Sequence, residues 1–529
     1  MDPVPEDSRE GAGQSLSPPS HALLLPYSDQ GHINPLMQLG IRLAAQGVQI
    51  TMAVPEHVHA KLVHGQQQQM ATDNNLQIVG IKHGLPPHLT MREKKEDFDF
   101  SMEEGALELV HALASQGRPV TCIVGDFFLH WTSSLAARAS LPEFVFWPQC
   151  ASVLSIYLNV DAIVAAGYDP FKGNVRATAP SENTGLETIC IPGLPLPIHP
   201  ADMPFEFPFE DGLLWIQKML ADRLSRMGES QGVICNSFEA LEADALKALT
   251  LRFQSAKPHP LYGRCWPRSG SMRLVGPLVP RAAFGGESCA EEARVSLWRE
   301  EVEACKEWLD LQPASSVLFV AFGSMTPITV SQVRELALGL AATGQRFLWV
   351  LREHAIRPEK MGEPGHGPGH GPPPPPPMEA MALEAVLPQG FLEQNRHVCK
   401  LVRWAPQALV LSHPAVGGFF SHCGWNSTLE SICSGVPILG WPSMNDQFTN
   451  CWLATHVWKM GLTLDRNQEN HASRDDVERA VRQLMEGPLS TSMRARAKEL
   501  GHLARKYHSA SSSIVEDMRR SQGASPHRP

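Results

Sequence analysis

The stretch HALLLPYSDQGHINPLMQLGIRLAAQGVQITMAV (His21–Val54) decides the fold class. HALLLPY (His21–Tyr27) reads as a buried strand, and Ser28–Gly31 as the turn that leaves it. Asn34 is predicted to cap a helix with Pro35 at its first position, running through LMQLGIRLAAQ to a stop at Gly47. VQITMAV (Val48–Val54) is the next strand. A strand, a helix with its stop signal and a second β-branched apolar run form a βαβ unit, which belongs to a parallel sheet covered by helices on both faces.

The same rhythm continues outward. VTCIVGDFF (Val120–Phe128), a helix around Trp131–Ala139 and EFVFW (Glu143–Trp147) extend the first half as doubly wound α/β. A second set starts at SVLFVAFGS (Ser316–Ser324) and runs through the helical SQVRELALGLAAT, then RFLWVLR (Arg346–Arg352) and KLVRW (Lys400–Trp404). VGGFFSH (Val416–His422), a helix over Leu429–Cys433 and VPILGWP (Val436–Pro442) complete it. Between the sets lies a Pro-, Gly- and Arg-rich stretch with linker composition. The expected divisions are a disordered leader (1–20), a first α/β domain (21–260), a linker (261–286), a second α/β domain (287–505), and a C-terminal helix with a polar tail (506–529). The second domain carries a surface insertion, EPGHGPGHGPPPPPPM (363–378), whose six consecutive prolines hold polyproline II and exclude helix or strand. Two such domains facing each other form a cleft at the carboxyl ends of their strands, where open parallel sheets bind ligands.

Composition bounds the function. The 529 residues are 43% hydrophobic and 19% charged, as in a chain that buries sizeable cores. Forty-five Lys and Arg against 55 Asp and Glu give a net charge of −10, without the basic excess that nucleic acid binding needs. Eleven cysteines, with no CxxC pair and no zinc spacing, argue for reduced thiols in a cytoplasmic protein. The acidic, Pro/Ser-rich start lacks the features of a signal peptide, and no window is apolar enough to span a membrane. A soluble protein with no nucleic acid partner is expected.

Several short patterns mislead. GESQG (Gly228–Gly232) matches a nucleophile elbow around Ser230, but a helical stretch precedes it and a strand follows, the reverse of the required order. DFD (Asp97–Asp99) follows the charge run REKKE and reads as a surface loop rather than a metal-holding acidic pair. His366 and His370 are separated by Gly and Pro, which deny them one helical face for a metal. HASRD (His471–Asp475) is better read as Ser473 capping a helix, with Asp476 completing a capping box. There is no GxGxxG and no GxxxxGK[ST].

The chemistry concentrates in WAPQALVLSHPAVGGFFSHCGWNSTLESICSGVPILGWPSMNDQ (Trp404–Gln447). A strand ends at His422, the turn HCGWNS follows, and a helix is predicted to open at Ser427–Thr428. Its N-terminus offers unpaired N–H groups and a positive dipole end to a diphosphate, without a metal. His422, Asn426 and Ser427 are placed to help, although Ser427 and Glu430 also fit an S-x-x-E capping box. The whole stretch resembles the 44-residue signature of the plant secondary-product glycosyltransferases, the UDP-sugar-dependent family 1 enzymes. QGHINP, GDFF, NSFEALE (Asn236–Glu242), VGPL (Val275–Leu278), EWLDLQPASSVLFVAFGS (Glu307–Ser324) and LPQGF (Leu387–Phe391) extend that resemblance over nearly the whole chain.

The resemblance implies two facing Rossmann-like domains (the GT-B arrangement), with UDP-sugar and a small acceptor in the cleft, and a monomer with no cofactor or metal. Trp404 would stack on uracil, Ala405 would meet the base edge through its backbone, and Gln407 and Glu430 would hold the ribose. Ser324, His422, Gly424, Asn426 and Ser427 would form the diphosphate site, while Trp425, Asp446 and Gln447 would read the sugar, with Trp425 and Gln447 resembling glucose-using members. His32 would be the general base and Asp126, at a strand end, its partner carboxylate. The implied reaction is a single displacement giving a β-glycoside of a flavonoid, another phenolic or a terpenoid. Phe127, Phe128 and Trp147 serve equally as acceptor-pocket walls or as core. Pro148 stands where many relatives carry a threonine that contacts the sugar. A nucleotide-sugar-binding protein without catalysis and a hydrolase acting through Ser230 are the competing readings.

Overall fold

The computed structural model describes residues 20–66, 75–82, 102–168, 170, 188–205, 222–224, 227–228, 230–254, 271–285, 299–323, 326–357, 383–467 and 470–509. Residues 1–19 of the leader, the polyproline insertion, Asp97–Asp99, Ser324 and the tail beyond 509 lie outside the described residues, as do residues 261–270 and 286 of the expected linker.

Seven parallel strands form the first sheet: β1 (His21–Leu25), β2 (Gln49–Pro55), β3 (Leu76–Ile81), β4 (Cys122–Asp126), β5 (Glu143–Trp147), β6 (Gly232–Cys235) and β7 (Ser271–Leu274). Their spatial order is β3-β2-β1-β4-β5-β6-β7. The chain winds outward from β1 in both directions, so the sheet's switch point lies between β1 and β4. Every residue of HALLL and of CIVGD is buried, as expected of strands covered on both faces.

Six parallel strands form the second sheet: β8 (Val317–Ala321), β9 (Arg346–Val350), β10 (Cys399–Val402), β11 (Val416–Ser421), β12 (Ile438–Gly440) and β13 (Gly461–Thr463). The order is β10-β9-β8-β11-β12-β13, with the switch point between β8 and β11. The doubly wound reading of both halves therefore holds, and each half places its own switch point in the cleft.

Three boundaries differ from expectation. The four residues SMRL of β7 pair with β6, so the expected linker (261–286) contains the last strand of the first sheet. Although Met272 and Leu274 pack on the core, a strand of only four residues is too short to stand out in a Pro/Gly-rich stretch. Helix α1 (Gln30–Ala44) begins five residues before Pro35, with Asp29 in extended conformation at its N-cap and its carbonyl accepting from the N–H of His32 and of Ile33. Pro35 thus lies inside the helix rather than at its first position. The long last helix (Gly487–Ser509) runs through the expected boundary at 505 and returns to the first domain. There Tyr507 packs on Phe238 at 5.4 Å between ring centroids. His508 meets Arg42, whose guanidinium also donates to the carbonyls of Val275 and Pro277.

Helix α2 (Ala151–Leu158) follows β5, and all eight of its residues are buried. The carboxylate of Glu242, itself buried, accepts from the N–H of Ala151 and Ser152 and from the hydroxyls of Ser152 and Ser237, which satisfies the orphan donors of the helix start. Helix α3 (Val330–Thr343) starts at Thr329, whose hydroxyl accepts from Gln332 N–H, and ends at Gly344 in left-handed conformation. The capping box of Ser473 and Asp476 is present as read. All nine described cysteines are free thiols. No described helix is long and apolar enough to cross a membrane.

Candidate active site

The first-domain half of the site straddles the β1/β4 switch point. Asp126 closes β4 and is fully enclosed, while His32 sits in the first turn of α1 with 15% of its side chain exposed. His32 Nδ1 donates to Asp126 Oδ2 at 2.8 Å, and the other carboxylate oxygen accepts from Phe128 N–H at 2.9 Å. One ring nitrogen is therefore committed to the carboxylate, which leaves Nε2 as the basic atom. Phe128 stands edge-on to the imidazole at 4.9 Å and Tyr27 at 5.1 Å, so the ring is clamped as well as bonded. Burial opposes charging of His32, but the charge and hydrogen bond of Asp126, with Asp29 and Asp446, outweigh it and raise its pKa above 6.5.

The aromatic residues separate into two roles. Trp147 is fully buried and its indole N–H donates to Cys150 O, while Phe127 packs against it at 4.8 Å. Both belong to the core behind the dyad, and Phe128 is the member that touches His32. Pro148 follows β5, and beside it the buried Gln149 Oε1 has no partner among the described residues.

The second-domain half straddles β8 and β11. Helix α4 (Trp425–Ser434) opens directly after the turn, with Gly424 as N-cap, two residues earlier than predicted. Ser427 and Glu430 therefore lie inside the helix and do not form a capping box. Gln407 Nε2 instead donates to both, to Ser427 Oγ at 2.8 Å and Glu430 Oε2 at 2.5 Å. Burial pushes the Glu430 carboxyl up to about 7, only partly offset by that bond. Trp404 and Ala405 lie between β10 and the short helix Gln407–Ser412 that carries Gln407.

His422 is wedged between two glycines. A Cβ on Gly323 or Gly424 would come within 2.6 or 2.5 Å of its Nε2, so only glycine fits at either position without displacing the ring. Burial and then the nearby Arg352 charge pull its pKa down to about 4, which makes it a neutral imidazole. Its buried Nδ1 has no hydrogen-bond partner among the described residues, an unmet polar atom at the start of α4. The first N–H groups of α4 have no partner within the helix and adjoin His422, so this corner suits an anion such as a diphosphate.

Helix α5 (Gln447–Trp452) supplies the remaining residues. Asp446 precedes it and accepts from Asn450 Nδ2 at 2.8 Å, while burial pushes its carboxyl up to about 6. Gln447 Oε1 accepts from the N–H groups of Ser443 and Met444, which turns its amide NH₂ away from the loop. The first domain holds this element: Tyr157 OH donates to Asn445 Oδ1 at 2.8 Å, and Thr449 Oγ1 donates to Asp202 O at 2.8 Å.

Trp425 differs from the expectation of a sugar-reading side chain. Its indole is buried, and its only donor goes to the backbone carbonyl of Asn236, at the end of β6, at 2.6 Å. Asn426 Nδ2 likewise donates across the cleft, to Gly31 O at 3.0 Å. Asn236, Tyr157 and Asn450 were not singled out from the sequence. NSFEALE was visible as a motif, but nothing local shows that its asparagine faces a tryptophan 189 residues away. Ser230 is buried with its hydroxyl held against the carbonyls of Met227 and Gly232, in a turn before β6, so the hydrolase reading fails.

The family described as UDP-glucoronosyl and UDP-glucosyl transferase matches residues 276–494. A 7-deoxyloganetin glucosyltransferase of Gardenia jasminoides is 32% identical over 503 residues, covering 92% of this chain and 93% of that one. The chain belongs to the plant family 1 UDP-glycosyltransferases. Linamarin synthase 1 of Manihot esculenta is also 32% identical, over 92% of this chain and 93% of that relative. Among solved structures, a UDP-glucosyltransferase of Polygonum tinctorium in complex with 3,4-dichloroaniline aligns with a TM-score of 0.70 at 26% identity, over 96% of this chain and 98% of that one. A Phytolacca americana glycosyltransferase holding UDP-2-fluoro-glucose and pterostilbene shares the fold, with a TM-score of 0.69 at 23% identity, over 96% of this chain and 100% of that one. As a UDP-glycosyltransferase, the protein has the two-domain GT-B architecture. Among its described residues, no group of three His, Cys, Asp or Glu side chains could hold a metal ion.

Proposed function

We propose that this UDP-glycosyltransferase moves glucose from UDP-glucose to a hydroxyl of a small lipophilic acceptor, a flavonoid, another phenolic or a terpenoid, with inversion at the anomeric carbon. The observation that carries the reading is the 2.8 Å bond from His32 Nδ1 to buried Asp126, on a helix that is hydrogen-bonded to the donor-side helix through Gly31 and Asn426. The base and the anion corner thus face one space.

In this mechanism the acceptor hydroxyl gives its proton to His32 Nε2 as its oxygen attacks the anomeric carbon. The bond from that carbon to the diphosphate oxygen breaks, and UDP leaves with the electron pair. Asp126 stabilises the imidazolium so formed. The N–H groups of α4 and the unmet Nδ1 of His422 receive the charge that grows on the diphosphate. Trp404 would stack on the base, and Gln407 with Glu430 would bind the ribose. Asp446 and Gln447 would take the sugar hydroxyls. Linamarin synthase 1 and the Gardenia enzyme are named for small plant products, which supports the acceptor class.

The reading is tested by incubating the protein with UDP-glucose and a mixed acceptor panel, with and without EDTA, and assigning the anomeric configuration of the product by NMR. A β-glucoside formed equally in EDTA is the expected result. An α-glucoside would refute the single displacement, and loss of product in EDTA would refute metal independence.

A further inference from the structure

Gly31 carries a carbonyl that its own helix cannot use. Inside an α-helix each carbonyl accepts from the N–H four residues on, and for Gly31 that residue is Pro35, which has no N–H. An interior proline costs a helix about 3 kcal/mol, so its presence in the second turn of α1 calls for a compensating contact. Asn426 Nδ2 supplies one, 3.0 Å from Gly31 O and 395 residues away in sequence. The two ends of this bond are the functional neighbours of the site: Gly31 immediately precedes His32, and Asn426 is the second residue of α4.

The Asn426 side of the bond is braced. Asn236 is fully buried at the end of β6, where its Oδ1 accepts from Leu278 N–H at 2.9 Å and its carbonyl accepts from Trp425 Nε1 at 2.6 Å. Its Nδ2 faces Asn426 Oδ1 at 3.5 Å, a long contact that still orients the Asn426 amide with NH₂ toward Gly31. Asn426 Nδ2 carries two hydrogens and spends one on Gly31, which leaves the other for a ligand in the cleft.

We propose that Pro35 is a positioning residue for sugar transfer: by withholding the N–H that would claim Gly31 O, it reserves that carbonyl for Asn426, and the resulting bond registers His32 against the donor-binding helix. The inference rests on the reading of His32 as the base. It also accounts for a proline well inside α1.

Pro35→Ala tests it cleanly, because alanine is the best helix former and returns the missing N–H to Gly31 O. The expected result is a kcat for UDP-glucose and acceptor lowered about tenfold, the size of effect that a small misplacement of reacting groups produces. The melting temperature should be equal or higher, and the Kd of UDP by calorimetry should stay within about twofold. A wild-type kcat in a folded Pro35→Ala protein overturns the inference and leaves the transferase reading intact. Hydrogen exchange gives a readout without turnover: in Asn426→Ala the first turn of α1 should exchange faster than in wild type, as a turn that has lost its clamp. Unchanged exchange there overturns the inference even if the wild type proves inactive on every acceptor, an outcome that would by itself sink the transferase reading.

Discussion

Asp126 Oδ2 lies 2.8 Å from His32 Nδ1, and the carboxylate has no exposure to water. A charge so enclosed must be compensated, and the imidazole is what compensates it. The consequence is directional. Because the pKa of His32 is raised above 6.5, the neutral base accumulates only as pH rises past that value, so kcat/KM should climb along an acid limb above pH 6.5. The stabilisation from the charged pair has the opposite course, present in full below 6.5 and lost as pH rises through the folded-state value.

Asp126→Asn removes the largest raising influences and leaves burial, which lowers the pKa, opposed only by the charges of Asp29 and Asp446. Its acid limb should move to lower pH while the plateau rate falls about 10²–10⁴-fold. The pH-rate profiles of wild type and variant check both parts. An unmoved limb would mean that another group sets it.

Glu430 gives a stability prediction of the same sign as the His32 pair. Its carboxyl is raised from 4.5 to about 7, so the folded protein holds this proton more tightly than the unfolded chain does. Stability without nucleotide should therefore decline as pH rises from 4.5 to about 7, by at most about 3 kcal/mol from this group. Glu430→Gln should match wild type near pH 4 and exceed it at pH 8 in thermal unfolding, while its affinity for UDP falls. Parallel curves across that range would show that Glu430 is not held neutral.

Trp425→Phe keeps an aromatic ring, though a smaller one, and removes the N–H that Asn236 O accepts at 2.6 Å. A buried carbonyl left without its donor costs about 1–3 kcal/mol. The melting temperature should drop, with the KM for UDP-glucose changing less than the stability does. A change confined to KM would place the indole on the sugar instead.

Glu242→Ala strips the start of α2 of its carboxylate and leaves the N–H groups of Ala151 and Ser152 and the hydroxyls of Ser152 and Ser237 without their acceptor. A loss of about 3–5 kcal/mol in denaturant unfolding is expected, with Glu242→Gln milder because it keeps one acceptor oxygen.

Both sheets were legible because strands buried on two faces read as unbroken apolar runs: HALLL and VLFVA could scarcely be anything else. The dyad was legible because its members stand just beyond β1 and at the end of β4, where a doubly wound sheet binds its ligand, and because the motifs matched a family. What escaped was set by distance or by competing local signals. Asn34-Pro35 imitates a helix start, and only the bond from Asn426 shows why the helix begins earlier and tolerates the proline. Ser427 and Glu430 imitate a capping box, and only the position of Gln407 shows what binds them. SMRL does alternate polar and apolar residues, but four residues inside a Pro/Gly/Arg-rich stretch are too few to announce a strand; its pairing with β6 and the packing of Met272 and Leu274 on the core reveal it. The indole of Trp425 looks like a ligand contact until its partner, on the other domain, is in place.

The central claim, that His32 is the base of a glucose transfer, is tested most directly by following UDP release from UDP-glucose with the acceptor panel in wild type and His32→Ala, with UDP affinity measured on both. The account predicts turnover in wild type, a loss of about 10²–10⁴-fold in the variant, and nearly equal UDP affinity in the two. Turnover that survives His32→Ala undiminished would contradict it.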